Sequence, residues 1–183
     1  MLIDRNDSTL LLIDIQEKLI KKIFNSNSVI DHSKKIVDIF SYLKIPIIYS
    51  EQYPNGLGKT INPIDEKLKK IKALKIEKTT FSCISNKNDT EIRKIFPKNQ
   101  VIICGIETHI CILQTSIDLY NKGYEVFVIS EAVSSRDERH MNLAFDRLVK
   151  NGISLINFEM LIFELIRDSK DKNFKELSTY ITK

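Results

Sequence analysis

Short runs of β-branched and aliphatic residues alternate with segments of helical spacing along most of the chain, and this alternation limits the fold more than any other feature. Apolar and polar residues do not alternate within the runs, which is typical of strands covered on both faces. The predicted strands are 9–13, 45–49, 73–77, 100–106, 124–130 and 153–157. Helical segments between strands favour parallel pairing. The sequence therefore predicts an α/β fold, a three-layer α/β/α sandwich with a six-stranded parallel, Rossmann-like sheet.

The segments between the strands carry the signals of helix ends. Thr108 and Asp137 are each placed to cap the helix that follows, and Gly123 and Gly152 are placed to end those helices in the left-handed conformation. The polar stretch 50–58 contains Pro, Asn and Gly and is predicted to be a loop. The predicted helices are 17–24, 30–43, 89–96, 108–121, one between Asp137 and Gly152, 158–167 and 173–181.

Length and composition indicate one domain. The chain has 183 residues, of which 43% are hydrophobic and 28% charged, which is ordinary for a globular protein and too apolar for wholesale disorder. No linker, repeat or low-complexity segment divides it, so residues 1–183 are predicted to form a single domain. Its apolar runs are too short to cross a bilayer, and no secretory signal pattern precedes them. Three unpatterned cysteines predict neither a disulfide framework nor a zinc site, and a cytoplasmic location is expected.

The positive charge does not by itself indicate a polyanionic partner. The formal net charge is +4, but the lysines are scattered along the chain and do not form a stripe or a cluster. No glycine-rich motif for a dinucleotide or a phosphate is present. We therefore expect neither nucleic acid nor a membrane as partner, and a nucleotide- or flavin-binding protein is disfavoured.

Three reactive side chains fall at or just beyond predicted strand ends, where parallel α/β sheets bind their ligands. They are Asp14, Lys78 and Cys111. Cys111 lies about one turn into a predicted helix, where the helix dipole favours an anion, so its thiol pKa is expected to be lowered. Asp14 could accept the thiol proton, and Lys78 could stabilise both the thiolate and the carboxylate.

Each of these residues also has a purely structural interpretation. A cysteine on an apolar helix is often a small core residue, and an aspartate at a strand end often caps the next helix. Lys78 is one of many lysines and is uninformative alone. The sequence by itself leaves these alternatives open.

The remaining cysteines and histidines are weaker candidates. Cys83 and Cys104 are interpreted as structural, since Cys104 lies within a predicted strand. His109 precedes Cys111 by only two residues, which places it on another face of the helix and argues against a papain-type pair. His140 lies on a helix away from any strand end, where a solvated or core role is expected.

Several segments, in the same order, resemble motifs of the isochorismatase-like cysteine hydrolases. Residues 103–115 resemble the nucleophile motif, residues 11–16 the Asp-x-Gln motif of the first strand, and residues 77–82 the Lys-x-x-Phe-Ser motif. Residues 50–58 and 132–136 further resemble the subgroup of isochorismatase domain-containing proteins. The resemblance extends over nearly the whole chain and implies the isochorismatase-like hydrolase fold.

The resemblance also implies roles for individual residues. Cys111 would be the nucleophile, Asp14 the general base and acid, and Lys78 the orienting cation. A cis peptide bond would join Ile106 to Glu107, and the backbone N–H groups of Glu107 and Cys111 would form the oxyanion hole. Relatives assemble into dimers and larger oligomers, so a homo-oligomer is expected.

One departure from the family bears on metal binding. Nicotinamidases carry an Asp-x-His metal motif after the second strand, where this chain has Glu51-Gln52-Tyr53. We therefore expect no metal and no other cofactor. The leading hypothesis is a metal-independent hydrolase that cleaves a small amide, carbamoyl-type or related compound through a thioester. Gln16, Tyr53 and Phe81 are predicted to line the pocket for this small-molecule substrate. The alternative is a non-catalytic binding or scaffold protein that retains the fold.

Overall fold

The computed structural model describes residues Met1–Ile181. Helices surround a single sheet of six strands. The last two residues of the predicted 1–183 domain lie outside the described residues. The strands are β1 (Ser8–Ile13), β2 (Ile47–Gln52), β3 (Leu74–Lys78), β4 (Gln100–Ile106), β5 (Glu125–Ser134) and β6 (Ser154–Ile156). Every neighbouring pair is parallel, in the order β3-β2-β1-β4-β5-β6. The predicted six-stranded parallel sheet is confirmed.

Helices connect the strands. They are α1 (Glu17–Ile20), α2 (Ser26–Tyr42), α3 (Pro54–Leu57), α4 (Ile64–Lys70), α5 (Asp89–Ile95), α6 (Leu113–Asn121), α7 (Glu138–Lys150), α8 (Phe158–Ile166) and α9 (Phe174–Ser178), and a π-helical turn (Thr108–Ile112) leads into α6. The first predicted helix is shorter than expected. The short helices α3 and α4 were not predicted, and α3 lies within the predicted loop.

The sheet is buried on both faces, which explains its uniformly apolar strands. Leu10 and Leu12 of β1 pack in one cluster with α2 and α8, whereas Leu11 and Ile13 pack in a second cluster on the other face. Helices α5, α6 and α7 contribute to that second cluster. This arrangement is the predicted three-layer sandwich.

The helix-end predictions have mixed outcomes. The Asp137 carboxylate accepts a hydrogen bond from the backbone N–H of Arg139 and caps α7, as predicted. Gly123 follows α6 with a φ of 83°, which is the predicted left-handed end. The prediction for Thr108 was wrong. It lies inside the π-helical turn rather than before it, because the N–H of Ile112 donates to the Glu107 carbonyl five residues earlier.

The two central strands approach each other closely at their carboxyl ends. Gly105 of β4 has a φ of 123°, and a Cβ atom there would lie 2.1 Å from the carbonyl oxygen of Ile13. Only glycine fits this contact. Strand order reverses between β1 and β4, so the crevice above this contact is where a ligand site is expected in such a sheet. Within residues 1–181, no helix is long and apolar enough to span a bilayer.

Candidate active site

The carboxylate of Asp14 lies at the end of β1 and is fully buried. Its backbone has a φ of 51°, which turns the chain sharply out of the strand. Ser50 Oγ donates to Asp14 Oδ1 at 2.7 Å, and Lys78 Nζ donates to Asp14 Oδ2 at 2.7 Å. The following helix α1 receives no side-chain cap. The helix-cap interpretation of Asp14 is therefore excluded.

The Lys78 ammonium, at the end of β3, is shared between two acceptors. Besides Asp14 it donates to Gln52 Oε1 at 2.7 Å. Burial alone would lower the pKa of this amine, but the charge of the Asp14 carboxylate and the hydrogen bond to it outweigh burial, and the pKa is raised. Lys78 is therefore a cation at neutral pH, paired with an anion inside the protein.

The Cys111 thiol lies in the π-helical turn after β4, is 6% exposed, and has Asp14 and Lys78 as its charged neighbours. Its pKa is raised, chiefly by burial and then by the neighbouring Asp14 carboxylate, and Lys78 offsets only part of this. The expectation of a lowered pKa was wrong. That expectation rested on the position of Cys111 near the start of a helix. It left out the desolvation of the buried thiol and the charge of the neighbouring Asp14 carboxylate. The resting group is a neutral thiol beside a carboxylate that can take its proton.

Arg136 holds the side chain of Glu107, the residue that begins the turn. The peptide bond between Ile106 and Glu107 is cis. Arg136 donates to the Glu107 carboxylate from its backbone N at 3.0 Å, from Nε at 3.0 Å and from a guanidinium nitrogen at 2.6 Å. Burial would raise the pKa of Glu107, but these bonds lower it overall, so the carboxylate is ionised. Side-chain bonds thus hold the residue predicted to present an oxyanion donor.

Gln52 and Ser50 contact the predicted catalytic residues and were missed by sequence reasoning. Both project from β2, which was predicted to end at Tyr49, so they were assigned to a loop. Their spacing of two residues places them on the same side of the strand. Extending β2 by three residues would have brought both side chains to the site.

Gln16, predicted as a pocket residue, is fully buried and bonds to backbone. Its Nε2 donates to the carbonyl oxygens of Gln52 at 3.0 Å and Gly58 at 2.7 Å, and its Oε1 accepts from the backbone N of Gln52 at 2.7 Å. These bonds join the end of β1 to the end of β2. A contact between Gln16 and substrate stays a prediction.

The two predicted aromatic pocket residues are exposed. Tyr53 and Phe81 are 55% and 52% exposed. Tyr53 lies directly beside the site, because its backbone N donates to the carbonyl oxygen of Lys78 at 2.8 Å. Phe81 follows Lys78 by three residues. Both rings have free surface that a substrate could cover, and their role stays a prediction.

The other cysteines and histidines have contacts of their own. Burial raises the pKa of Cys83 to about 11 and that of Cys104 to about 12. His109 Nδ1 lies 2.9 Å from Ser135 Oγ, and its ring lies against that of His140. Over residues 1–181, no group of three or more His, Cys, Asp or Glu side chains is arranged to hold a metal ion.

Comparisons with known proteins show what the whole chain is similar to. The Isochorismatase domain model matches residues 8–160. Isochorismatase family protein 1A of Dictyostelium discoideum is 36% identical over 174 residues, which cover 94% of this chain and 84% of that protein. A Caenorhabditis elegans structure described as MAR1 ribonuclease is 34% identical with a TM-score of 0.89, covering 100% of this chain and 93% of that one.

A more distant structure shares the fold alone. The YcaC gene product of Escherichia coli, described as an octameric hydrolase of unknown specificity, is 22% identical. Its TM-score is 0.89, and the match covers 100% of this chain and 90% of that one. The family model and the relatives above 30% identity confirm the resemblance seen in the sequence motifs: the chain belongs to the isochorismatase family.

Proposed function

We propose that this protein is a cysteine-dependent hydrolase of a small amide, carbamoyl-type or related compound, and that Asp14, Lys78 and Cys111 are its catalytic residues. One observation carries the proposal: the buried Asp14 carboxylate bonds to the Lys78 ammonium, and the Cys111 thiol lies near enough to Asp14 and Lys78 for both to shift its pKa. A base, a cation and a nucleophile that meet in this way form the arrangement that covalent catalysis by a thiol requires.

In the first step, Asp14 removes the Cys111 proton as the sulfur attacks the carbonyl carbon of the substrate. Because the thiol pKa is raised, little thiolate forms before substrate arrives, and proton transfer accompanies attack. The new Sγ–C bond moves the carbonyl electron pair onto oxygen. The backbone N–H groups of Glu107 and Cys111 receive this oxyanion.

In the second step, the oxyanion collapses and the C–N bond breaks. Protonated Asp14 gives its proton to the departing amine, which leaves a thioester on Cys111 and a carboxylate on Asp14. Asp14 then takes a proton from water as the water oxygen attacks the thioester. Collapse releases the acid and returns the proton to the sulfur. Lys78 holds Asp14 in place throughout.

The charges and rings around the site indicate the kind of substrate. Lys78 is already paired with Asp14, so the pair presents no net charge to a ligand. The exposed rings of Tyr53 and Phe81 offer flat, largely apolar surface. These features favour a small neutral amide or carbamoyl compound. The proposed steps balance with the named side chains and water, so we propose no cofactor and no metal.

The test is a panel of primary amides, carbamoyl compounds and esters, with intact-mass detection of an acyl group on the protein. RNA belongs on the panel, because the C. elegans relative is described as a ribonuclease. We expect hydrolysis of a small amide or carbamoyl compound, with an adduct that maps to Cys111. Cys104→Ala is the matched control and should keep the adduct, because Cys104 packs on the face of the sheet away from Cys111. Turnover without any adduct would contradict the proposal, and so would RNA cleavage that survives Cys111→Ala. If no compound is turned over and a protein partner binds tightly, the non-catalytic alternative is favoured.

We also propose a homo-oligomer. Support comes from the E. coli structure with the same fold, which is described as octameric.

A further inference from the structure

We infer that Gln52 is a positioning residue of the active site that fixes the Lys78 ammonium against Asp14. This inference rests on the proposed function. Gln52 Oε1 accepts from Lys78 Nζ at 2.7 Å, the same distance at which Asp14 Oδ2 accepts from it. The three side chains come from three neighbouring strand ends, β1, β2 and β3. Lys78 thus lies between one charged and one neutral acceptor.

Gln52 can fix Lys78 because the glutamine itself is firmly held. Its Nε2 donates to the carbonyl oxygen of Thr79 at 2.7 Å, which orients the amide and leaves Oε1 toward Lys78. The Gln16 amide bonds both the N–H and the C=O of the Gln52 backbone. Gln52 is only 9% exposed. Side chain and backbone are therefore both constrained.

The neutral amide suits this position because of the charges around it. Asp14 is the anion that contacts Lys78, and the pair is balanced. A second carboxylate in place of Gln52 would add a negative charge beside the thiol and oppose its ionisation. An apolar side chain would leave an ammonium donor in a buried site without its acceptor. Glutamine supplies the acceptor without the charge.

The consequence falls on the step in which Cys111 loses its proton. Lys78 favours the ionised thiol, as its opposition to the raised pKa of Cys111 shows. That effect depends on where Nζ lies. If Gln52 is lost, the ammonium is free to follow Asp14 alone, and its stabilisation of the developing thiolate weakens.

The experiment measures alkylation of Cys111 by iodoacetamide across pH in the full-length chain, followed by peptide mass spectrometry. It needs no substrate. Gln52→Leu should slow labelling of Cys111 near neutral pH about tenfold, the effect of losing one charge-assisted hydrogen bond. Gln52→Glu keeps the shape, and its added charge should slow labelling of Cys111 at each pH. If Gln52→Leu does not fold, the Gln52→Glu rate decides the question.

Gln100 provides the matched control. It is a buried glutamine at the amino end of β4, whereas the active site lies at the carboxyl ends of the strands. Its Nε2 donates to the carbonyl oxygen of Leu2 and to the Glu125 carboxylate. Gln100→Leu should leave the pH dependence of Cys111 labelling unchanged.

The outcomes separate this inference from the proposed function. If no acyl adduct maps to Cys111 on the substrate panel, the proposed function fails. If the adduct maps to Cys111, yet labelling of Cys111 in Gln52→Leu and Gln52→Glu matches the wild type, only the role of Gln52 is overturned. Faster labelling of all three cysteines in the Gln52 variants would show general loosening and would also overturn it.

Discussion

Asp14 is the residue on which the site depends, because both its carboxylate oxygens are bonded within the protein. Burial of an ion pair is costly, and attraction between the charges offsets that cost only when the geometry is good and the remaining groups are bonded. Here Ser50 and Gln52 supply the additional bonds. The pair is therefore better explained by chemistry at the site than by a gain in stability.

Removal of the Lys78 charge should destabilise the fold. Lys78→Met leaves the fully buried Asp14 carboxylate without its cation, which should cost about 3–5 kcal/mol of unfolding free energy. Denaturant unfolding measures this. Because Asp14→Asn removes the stranded charge, the double variant should recover part of the loss. A single-variant loss below about 1 kcal/mol would show that the pair is not buried as described.

Prediction from sequence placed residues correctly where a reactive side chain marks a strand end. It failed where the bonding or the pKa of a side chain is set by the groups that surround it in the fold. Asp14 and Lys78 were predicted to meet, and they do. Gln52 was missed, because an uncharged amide carries no pattern that separates it from a loop residue. The pKa of Cys111 was predicted in the wrong direction, because burial and the contact with Asp14 arise only in the folded chain.

At the scale of elements, the sheet was predictable and its edges were not. Apolar runs locate the strand centres, but β2 continues through three polar residues, Ser50 to Gln52. The side chains of Ser50 and Gln52 bond within the site. A hydrophobicity pattern ends such a strand too early. The π-helical turn that begins at Thr108 was also not predictable from sequence. The N–H of Ile112 donates to the carbonyl oxygen of Glu107, and no local signal in the sequence specifies that wider turn.

The contact between β1 and β4 predicts a strong effect of one methyl group. In Gly105→Ala, the added Cβ would overlap the Ile13 backbone and the residue would keep a positive φ. We expect a loss of about 3 kcal/mol or more in unfolding free energy. Thermal unfolding measures it, with Gly123→Ala as control. That glycine also has a positive φ but no atom within 4 Å of the added Cβ, so its loss should be smaller. Equal losses in the two variants would contradict the close approach.

At the scale of the whole molecule, stability should fall in acid through Glu107. Its pKa in the folded chain lies below the ordinary 4.5, so its contribution is present above that pH and is lost as the pH falls toward the folded value. Urea unfolding of the wild type and of Glu107→Gln across pH measures the contribution of the Glu107 carboxylate to the free energy of unfolding. The stability advantage of the wild type should shrink as the pH falls below 4.5. An advantage that stays constant or grows there would contradict the Glu107–Arg136 bonds.

The assembly is predicted from the family resemblance and the location from the unpatterned cysteines, and both remain predictions. Light scattering after size exclusion should give the mass of two or more copies of the 21.2 kDa chain, as expected for a homo-oligomer. A species of 21.2 kDa at every concentration tested would contradict it. The cytoplasmic location likewise stays a prediction.

The most direct test of the central claim is the turnover rate of Cys111→Ala beside the wild type and Cys104→Ala, with the first substrate that the wild type hydrolyses. If Cys111 is the nucleophile, its loss should lower kcat by at least about a thousandfold, whereas Cys104→Ala should stay within about tenfold of the wild type. A Cys111→Ala protein that is folded and turns over at the wild-type rate would show that this sulfur forms no bond with the substrate.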